Sequence, residues 1–314
     1  MLLMKLKKWW FVPLSLGFAG LYLRFVFLME HVKDQELVQV VDFGGVESKC
    51  VWANDALSTT CRQKSVDALA EIARILNSKA YKETNSTKLN KLSEFGSGFG
   101  MHTLVDTGKP NTTCIFYSYG ISRDYSFDEQ LSRDWECKGF LFDPSIVYPA
   151  KLKQHLHFFN LGAPLLSTDM ATDCFSDPTR PRCTNLAEWI TVSPPQVMAL
   201  FHHRHIDVLK MDCEGCEYAL ARDIASFDPA FLSKVGQFAL EVHASKWWGK
   251  DELHTHYLGL LYHMLLSHGF ALVHATISGC ARVTEEVGCP PGMEAVGYPC
   301  GVGRSCQNYL FARA

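Results

Sequence analysis

Three acidic residues are clustered in one short segment of the sequence, Asp212-Cys213-Glu214-Gly215-Cys216-Glu217. The apolar run that precedes them, IDVLKM, has the composition of a buried strand, so the acids would follow the carboxyl end of that strand. Carboxylates placed there can take a proton, orient a substrate or bind a cation. We therefore take Asp212 and Glu214 as candidate catalytic residues. The alternative is that these acids only stabilise the start of the following helix.

Two further candidates end the next strand-like run, QFALEVH, which covers residues 237–243. Side chains alternate along a strand, so Glu241 and His243 should share a face. Histidine titrates near neutral pH and is the most common general base. Glu241 and His243 therefore join the catalytic candidates, and either Asp212 or His243 is the expected proton acceptor.

A third strand end carries residues that could bind a nucleotide-like cofactor. The apolar run around Tyr117 ends in the turn Gly120-Ile121-Ser122, where backbone N–H groups could face a ligand and glycine would allow its close approach. Asp143 and Pro144 follow the next apolar run, about 20 residues further on, where a carboxylate can accept hydrogen bonds from ribose hydroxyls. The alternatives are an ordinary strand–turn–helix connection and an Asp-Pro turn.

The elements that must position these residues alternate between strand-like and helix-like runs over most of the chain. This alternation predicts an α/β fold of the Rossmann-like kind, a doubly wound and mostly parallel sheet with helices on both faces. Such sheets bind ligands at the carboxyl ends of their strands, where the strand order reverses. We place one helix at residues 126–135, with Ser126 and Glu129 as a capping box, and an earlier helix at residues 65–76, with Ser65 as its N-cap.

The chain has 314 residues and a formal net charge of −3, which argues against a general nucleic-acid-binding protein. Its apolar fraction of 47% excludes a mostly disordered chain. Residues 9–29 contain one charge, Arg24, and are long enough to form a transmembrane helix. Because lysines precede this segment, we expect a signal anchor, with residues 1–8 in the cytosol and the remainder in the lumen of the endoplasmic reticulum or Golgi. A cleaved signal peptide, and hence a secreted protein, is the alternative.

The predicted lumenal part has the features of a protein from an oxidising compartment. The chain holds 12 cysteines, and Asn85 and Asn111 lie in N-glycosylation motifs. We assign residues 30–95 to a stem with one helix and residues 96–314 to a single domain. Four cysteines before the last strand-like run should form two disulfides, whose pairing stays open: Cys280, Cys289, Cys300 and Cys306.

The other cysteines offer further candidate disulfides, Cys174 with Cys183 and Cys50 with Cys61. Cys213 is expected to be a packing residue, with the redox spacing of Cys213-x-x-Cys216 as the alternative. The separations between the four cysteines from Cys280 to Cys306 do not match common zinc sites, so we expect no bound metal. A magnesium-dependent enzyme, with Asp212 and a second carboxylate as ligands, is the open alternative.

The residues at these strand ends resemble the FkbM-type, methyltransferase-like family of S-adenosylmethionine-dependent enzymes, and look closest to its membrane-anchored animal branch. The resemblance is strongest in the block IDVLKMDCEGCE at residues 206–217, and YSYGI, FLFDPS and EVH extend it over residues 95–314. It implies a class I methyltransferase fold, with seven strands of which the last is antiparallel. It also implies bound S-adenosyl-L-methionine, whose methyl group would face Asp212. The cofactor-binding residues that follow from the match are Tyr117, Ser118, Gly120, Ile121, Asp143, Pro144 and Asp212.

Together these features predict a lumenal S-adenosylmethionine-dependent methyltransferase that modifies an oxygen of an unknown small-molecule or glycan acceptor. The membrane, through the N-terminal helix, is the other expected partner, and nucleic acid is not. The first loop has a single glycine where many methyltransferases have several, so the alternative is an inactive methyltransferase fold that serves as a binding or scaffold protein. A glycosyltransferase is a third class with the same layout of anchor, stem and domain, but Asp212-Cys213-Glu214 only distantly resembles its metal motif.

Overall fold

The structure is a computed structural model that describes residues 59–78, 92–107, 113–146, 152–153, 155–166, 189–280 and 287–313. Several predicted features lie outside these residues: the membrane anchor at residues 9–29, Asn85, Asn111, Cys50, Cys174 and Cys183. Within the described ranges, no helix combines the length and the apolar character that crossing a bilayer requires.

A hairpin and a seven-stranded sheet contain the described strands. The hairpin is formed by β1 (Leu92–Phe95) and β2 (His102–Val105), and the sheet by β3 (Ile115–Tyr119), β4 (Lys138–Phe142), β5 (Leu156–Phe159), β6 (Ile206–Met211), β7 (Val235–His243), β8 (Phe270–Ser278) and β9 (Cys306–Arg313). The order across the sheet is β5-β4-β3-β6-β7-β9-β8. Strand β9 runs antiparallel to both of its neighbours, whereas β3 to β7 are parallel. The prediction of a mostly parallel sheet with an antiparallel last strand is confirmed.

The α-helices in the described residues are α1 (Thr59–Asn77), α2 (Ser126–Asp134), α3 (Pro194–Leu200), α4 (Glu217–Phe227) and α5 (Glu252–Ser267). Helix α5 packs against α4 and also against α1, which lies in the predicted stem. At the contact with α1, a Cβ on Gly259 of α5 would overlap Ser65 Oγ. Because α1 begins at Thr59, Ser65 lies within the helix, and its prediction as the N-cap residue is wrong. Its hydroxyl instead donates a hydrogen bond to the His256 carbonyl oxygen, at 2.7 Å.

The predicted capping box at Ser126 is also wrong. Tyr125 is the N-cap residue of α2, and Ser126 is the first helical residue. The Ser126 N–H donates to Asp124 Oδ1 (3.1 Å), while the Ser126 hydroxyl oxygen accepts a hydrogen bond from the Ser97 N–H (2.9 Å). Asp124 thus accepts a hydrogen bond from the first N–H group of α2. The Ser126 hydroxyl instead binds the Gly-rich turn between β1 and β2.

The β1–β2 hairpin packs on one face of the sheet, where the Gln237 side chain anchors its second strand. Leu104 and Val105 of β2 share a core with Phe116 and Val208 of the sheet. Gln237, near the start of β7, accepts a hydrogen bond from the Val105 N–H (2.8 Å) and donates one to the Val105 carbonyl oxygen (2.9 Å). The side-chain amide therefore satisfies two buried backbone groups that would otherwise need a neighbouring strand.

The loop before β9 contains the two disulfides that the sequence predicted. Cys280 is bonded to Cys306 and Cys289 to Cys300, so the prediction is confirmed and the open pairing is resolved. The Cys280–Cys306 bond joins the chain just after β8 to the first residue of β9. It therefore links the two strands that are most distant from the centre of the sheet on this side.

Other described cysteines form disulfides that we had not predicted as pairs. Cys114 is bonded to Cys137, which ties together the residues just before β3 and β4. Cys213 is bonded to Cys216, so its prediction as a packing residue is wrong; the turn between β6 and α4 brings the two sulfur atoms together. Cys61 is also disulfide-bonded, in line with a candidate pair whose other member lies outside the described residues.

Replacement of Gln237 by Leu should lower the free energy of unfolding by about 2–4 kcal/mol, because the N–H and the carbonyl of Val105 would both stay buried without a partner. Equilibrium urea unfolding of the oxidised protein measures the change. Gln63→Leu on the exposed face of α1 removes a solvent-exposed hydrogen bond to Asp67 and should change stability by less than about 0.5 kcal/mol. Equal losses in the two variants would contradict the anchoring role of Gln237.

Candidate functional site

The carboxyl ends of β3 and β6 meet at the centre of the sheet, where the strand order reverses. Tyr119 of β3 pairs with Met211 of β6, and Gly120 follows with a φ of 72°. A Cβ on Gly120 would overlap the Asp212 carbonyl oxygen. The need for glycine at this position thus comes from the close approach of two strand ends, whereas the sequence had suggested the approach of a ligand.

Gly120→Ala should lower the free energy of unfolding by at least about 3 kcal/mol, since the steric overlap with the β6 end adds to a backbone cost of roughly 1 kcal/mol. Gly303→Ala is the matched control: Gly303 has a φ of 73° and open space where the Cβ would lie. It should show the backbone cost alone in the same urea experiment. Similar losses for both variants would mean that the strand ends can move apart at little cost.

Lys210 places a buried positive charge at this junction. Its Nζ donates a hydrogen bond to the Gly120 carbonyl oxygen (2.7 Å) and lies 3.8 Å from Asp212 Oδ2. Burial raises the pKa of the Asp128 carboxyl on α2 to about 6, against the opposing effect of the Lys210 charge. Lys210 therefore links the ends of β3 and β6 and faces two carboxyl groups. This lysine lies in the block at residues 206–217 that resembles the methyltransferase-like family, but sequence reasoning assigned it no role.

The structure brings together three of the four predicted catalytic residues. His243 Nε2, at the end of β7, lies 3.9 Å from Asp212 Oδ1 and 4.0 Å from Glu241 Oε1. The Asp212 side chain is 20% exposed, against 11% for Glu241 and 4% for His243, so it is the member of this group most open to a substrate. Glu214, the fourth candidate, lies in the turn after Asp212 with a φ of 50°.

Glu217, the first residue of α4, positions the His243 ring. Glu217 Oε1 accepts a hydrogen bond from the His243 N–H (2.8 Å) and lies 3.2 Å from His243 Nδ1, while Oε2 accepts the Gly215 N–H (2.8 Å). Trp248 packs on the same ring, with the two ring centroids 4.7 Å apart. The imidazole is thereby held with Nε2 toward Asp212. The sequence placed Glu217 only at a helix start, because its contact with β7 depends on the tertiary fold.

The charges around this group set its protonation. Burial alone would lower the pKa of His243, but Glu217 and the two other carboxyl groups outweigh it and raise that pKa to about 10. Burial and the Asp212 charge raise the pKa of Glu241 well above its usual value. Burial would raise the pKa of Asp212, but nearby cations, Lys210 first, hold it below its usual value. Of the two predicted proton acceptors, Asp212 is therefore ionised at neutral pH, whereas His243 already carries a proton.

His102 reaches the same group from the hairpin, and sequence reasoning missed it. The residue is 2% exposed, and its Nε2 has no hydrogen-bond partner and lies 4.0 Å from Asp212 Oδ2. Burial and the Lys210 charge lower its pKa to about 3, so the ring is neutral. The preceding Gly-rich turn is held in place by a hydrogen bond from the Gly100 N–H to Asp124 Oδ2 (3.2 Å). The glycines of that turn were the only sequence feature to indicate that the chain bends here, which is how His102 comes to lie at the site.

Asp143 lies at the end of β4, as predicted, and its carboxylate is largely engaged within the protein. Oδ2 accepts the Ser122 N–H (2.7 Å), and Oδ1 accepts both the N–H (2.8 Å) and the hydroxyl (2.6 Å) of Ser145. A carboxylate has about four acceptor positions, so about one remains, on Oδ2. Asp143 therefore holds the turn after β3 in place and keeps limited capacity for one ligand hydroxyl.

The remaining residues predicted to bind the cofactor are mostly buried in the protein interior. Tyr117 and Ser118 are 0% exposed and Ile121 is 2% exposed, so their side chains pack inside the protein, and their contact with a cofactor stays a prediction. They are buried because β3 is the central strand, covered on both faces. The Tyr117 hydroxyl is hydrogen-bonded to His203 Nδ1 at 2.7 Å. Pro144 is half-buried beside Gly162.

A Rossmann-like sheet with this strand order, carrying acidic residues at the ends of the strands around its switch point, has the architecture of a methyltransferase domain. The chain belongs to this class: a family described as "Methyltransferase domain" matches residues 86–270, well over half of its length. The match begins just before the hairpin and ends at the first residue of β8. A comparison with curated proteins found no match.

Proposed function

We propose that this protein is an S-adenosylmethionine-dependent methyltransferase that methylates a hydroxyl oxygen. The observation that carries the proposal is the state of Asp212, an ionised and partly exposed carboxylate at the switch point of a methyltransferase domain. Methylation of a hydroxyl requires loss of its proton, and a carboxylate near the reacting oxygen can accept it. The FkbM-type resemblance of residues 206–217 supports the same assignment.

The residues at the ends of β3 and β4 fit S-adenosylmethionine by the chemistry of their donor set. Asp143 Oδ2 retains one acceptor position for a ribose hydroxyl, and the turn at residues 120–122 is held beside it. The Asp143 carboxylate at the end of β4 favours a positively charged ligand. When bound, the cofactor supplies a methyl group that its sulfonium charge has already activated. A single free acceptor position predicts one hydrogen bond from Asp143 to the ribose, where a fully free carboxylate could make two.

The residues of the chain then have distinct parts in the reaction. Asp212 accepts the proton of the acceptor hydroxyl and, because its side chain is partly exposed, can return that proton to solvent. Lys210 and His243, both nearly buried, keep Asp212 ionised before the proton arrives. Glu217 maintains the orientation of His243 through its two contacts with that residue. Positioning the hydroxyl against the carboxylate is the main contribution that the protein has to make.

The compartment and the acceptor belong to the same proposal. We place the domain in the secretory pathway, anchored by a signal-anchor helix at residues 9–29, with a glycan or a small molecule as the methyl acceptor. The paired cysteines support an oxidising compartment, since disulfides of this kind are rare in cytosolic proteins. The alternative of an inactive scaffold would require that the site bind no cofactor.

Asp143→Ala should weaken S-adenosylmethionine binding at least about tenfold, because it removes the ribose acceptor and releases the turn that carries Ser122. Isothermal titration calorimetry of the purified protein measures the dissociation constant. Ser145→Ala is the control: it removes one hydroxyl from the network but leaves the carboxylate and the Ser122 contact, and should bind within about threefold of wild type. The absence of heat with millimolar cofactor in the wild-type protein would overturn the enzymatic assignment.

Asp212→Asn should reduce methyl transfer by about 10²–10⁴-fold while cofactor affinity stays nearly unchanged, because the amide cannot accept the proton. Formation of S-adenosylhomocysteine in the presence of a panel of glycans and small hydroxylated molecules measures turnover. Asp134→Asn, at an exposed carboxylate beside Arg133, should be fully active. A D212N enzyme as active as wild type would show that the proton leaves by another route.

A further inference from the structure

The atoms around Asp212 are separated by distances that leave room for a small ion. His243 Nε2 lies 3.9 Å from Asp212 Oδ1 and 4.0 Å from Glu241 Oε1. Both separations are too long for hydrogen bonds, which need about 3.2 Å or less. Two bonds of roughly 2.0–2.2 Å add up to about 4.0–4.4 Å, so a metal ion between the atoms could reach both members of each pair. The imidazole and the two hydrogen-bonded carboxyl groups therefore converge on a common point, with His243 Nε2 bonded to neither carboxyl group.

Two features of the surroundings fit a metal site better than a set of ion pairs. The first is the contact between Glu217 and His243 Nδ1, since histidine ligands commonly have a carboxylate on the nitrogen that faces away from the metal. The second is His102, which is almost fully buried and whose unpartnered Nε2 points at Asp212 from the hairpin side. A buried imidazole nitrogen without a partner needs an explanation, and a metal ion or its bound water supplies one.

One nearby sulfur atom is excluded as a metal ligand. Cys306 Sγ also lies close to Glu241 and His243, but it is bonded to Cys280 and cannot act as a thiolate ligand. The available donors are therefore oxygen and nitrogen atoms. Imidazole nitrogens favour transition metals such as zinc and iron, and carboxylates favour harder ions such as manganese, so a mixed set suits a divalent first-row transition metal better than magnesium.

We propose that Asp212, Glu241 and His243 bind one divalent transition-metal ion, with His102 beside the second carboxylate oxygen of Asp212. Metal binding generally displaces the protons of its ligands. Asp212 Oδ2, on the side of Lys210, stays available to the acceptor hydroxyl. The site goes beyond methyl transfer and does not depend on it.

The test uses Mn²⁺ as the probe with the full-length protein freed of metal by dialysis against a chelator. Electron paramagnetic resonance should detect one bound Mn²⁺ per chain, and electron spin-echo modulation should show coupling to a ligand ¹⁴N. His243→Gln should abolish that coupling, and Asp212→Asn or Glu241→Gln should weaken Mn²⁺ binding at least about tenfold. His205→Gln, at an exposed histidine, is the matched control and should leave both signals unchanged.

Two further measurements keep the test decisive if a ligand variant folds poorly. Glu217→Gln changes no proposed ligand, yet should weaken Mn²⁺ binding about 10–100-fold through the orientation of His243. In the wild-type protein, Mn²⁺ or Zn²⁺ should raise the melting temperature, and an excess of Mg²⁺ should not. The proposal would be overturned if no stoichiometric binding occurred at millimolar Mn²⁺ or Zn²⁺, or if bound Mn²⁺ showed no nitrogen coupling. Water would then occupy the space between these side chains.

The outcome is separable from that of the methyltransferase assignment. Metal binding without S-adenosylmethionine binding would contradict the proposed function and support the metal site. Cofactor binding and methyl transfer by metal-free protein that takes up no Mn²⁺ would contradict the metal site and support the proposed function.

Discussion

The hydrogen bond from Lys210 to the Gly120 carbonyl oxygen is the interaction on which the candidate site depends. A buried ammonium must be satisfied, and this one is satisfied by the backbone of one strand end and the carboxylate of the next. It brings the ends of β3 and β6 to the separation at which only glycine fits at position 120. The same charge holds Asp212 in its ionised form. One side chain therefore determines both the shape of the switch point and the reactivity of its main carboxylate.

The other side of the site is organised around His243, and its support comes from a different part of the chain. Glu217 contacts the backbone and the ring of this histidine, and Trp248 covers the ring face. Lys210 thus fixes the site from β3 and β6, while Glu217 fixes it from α4 and β7. The β1–β2 hairpin places His102 beside Asp212. Each support is nearly buried, and Asp212, between them, is the group that faces solvent.

The sequence was most informative where local pattern decides the structure. The run IDVLKM predicted β6 to the residue, and the family resemblance implied seven strands with an antiparallel last strand, which the sheet has. Prediction failed where tertiary contacts decide. Ser65 has the properties of an N-cap, yet its hydroxyl bonds to another helix. His102 and Glu217 carried no signal of their own, because their partners lie more than 20 residues away and only the folded sheet brings them together.

The position of β9 in the sheet has a consequence for protein synthesis. Among the described strands this one comes last in sequence, yet it lies between β7 and β8 and pairs with Glu241 and His243 through Asn308 and Cys306. Until β9 leaves the ribosome, the edge of β7 is unpaired and available for contacts with other chains. The strand end that carries two of the clustered residues therefore becomes ordered only after β9 has been synthesised, so a nascent chain would lack the site until β9 emerges.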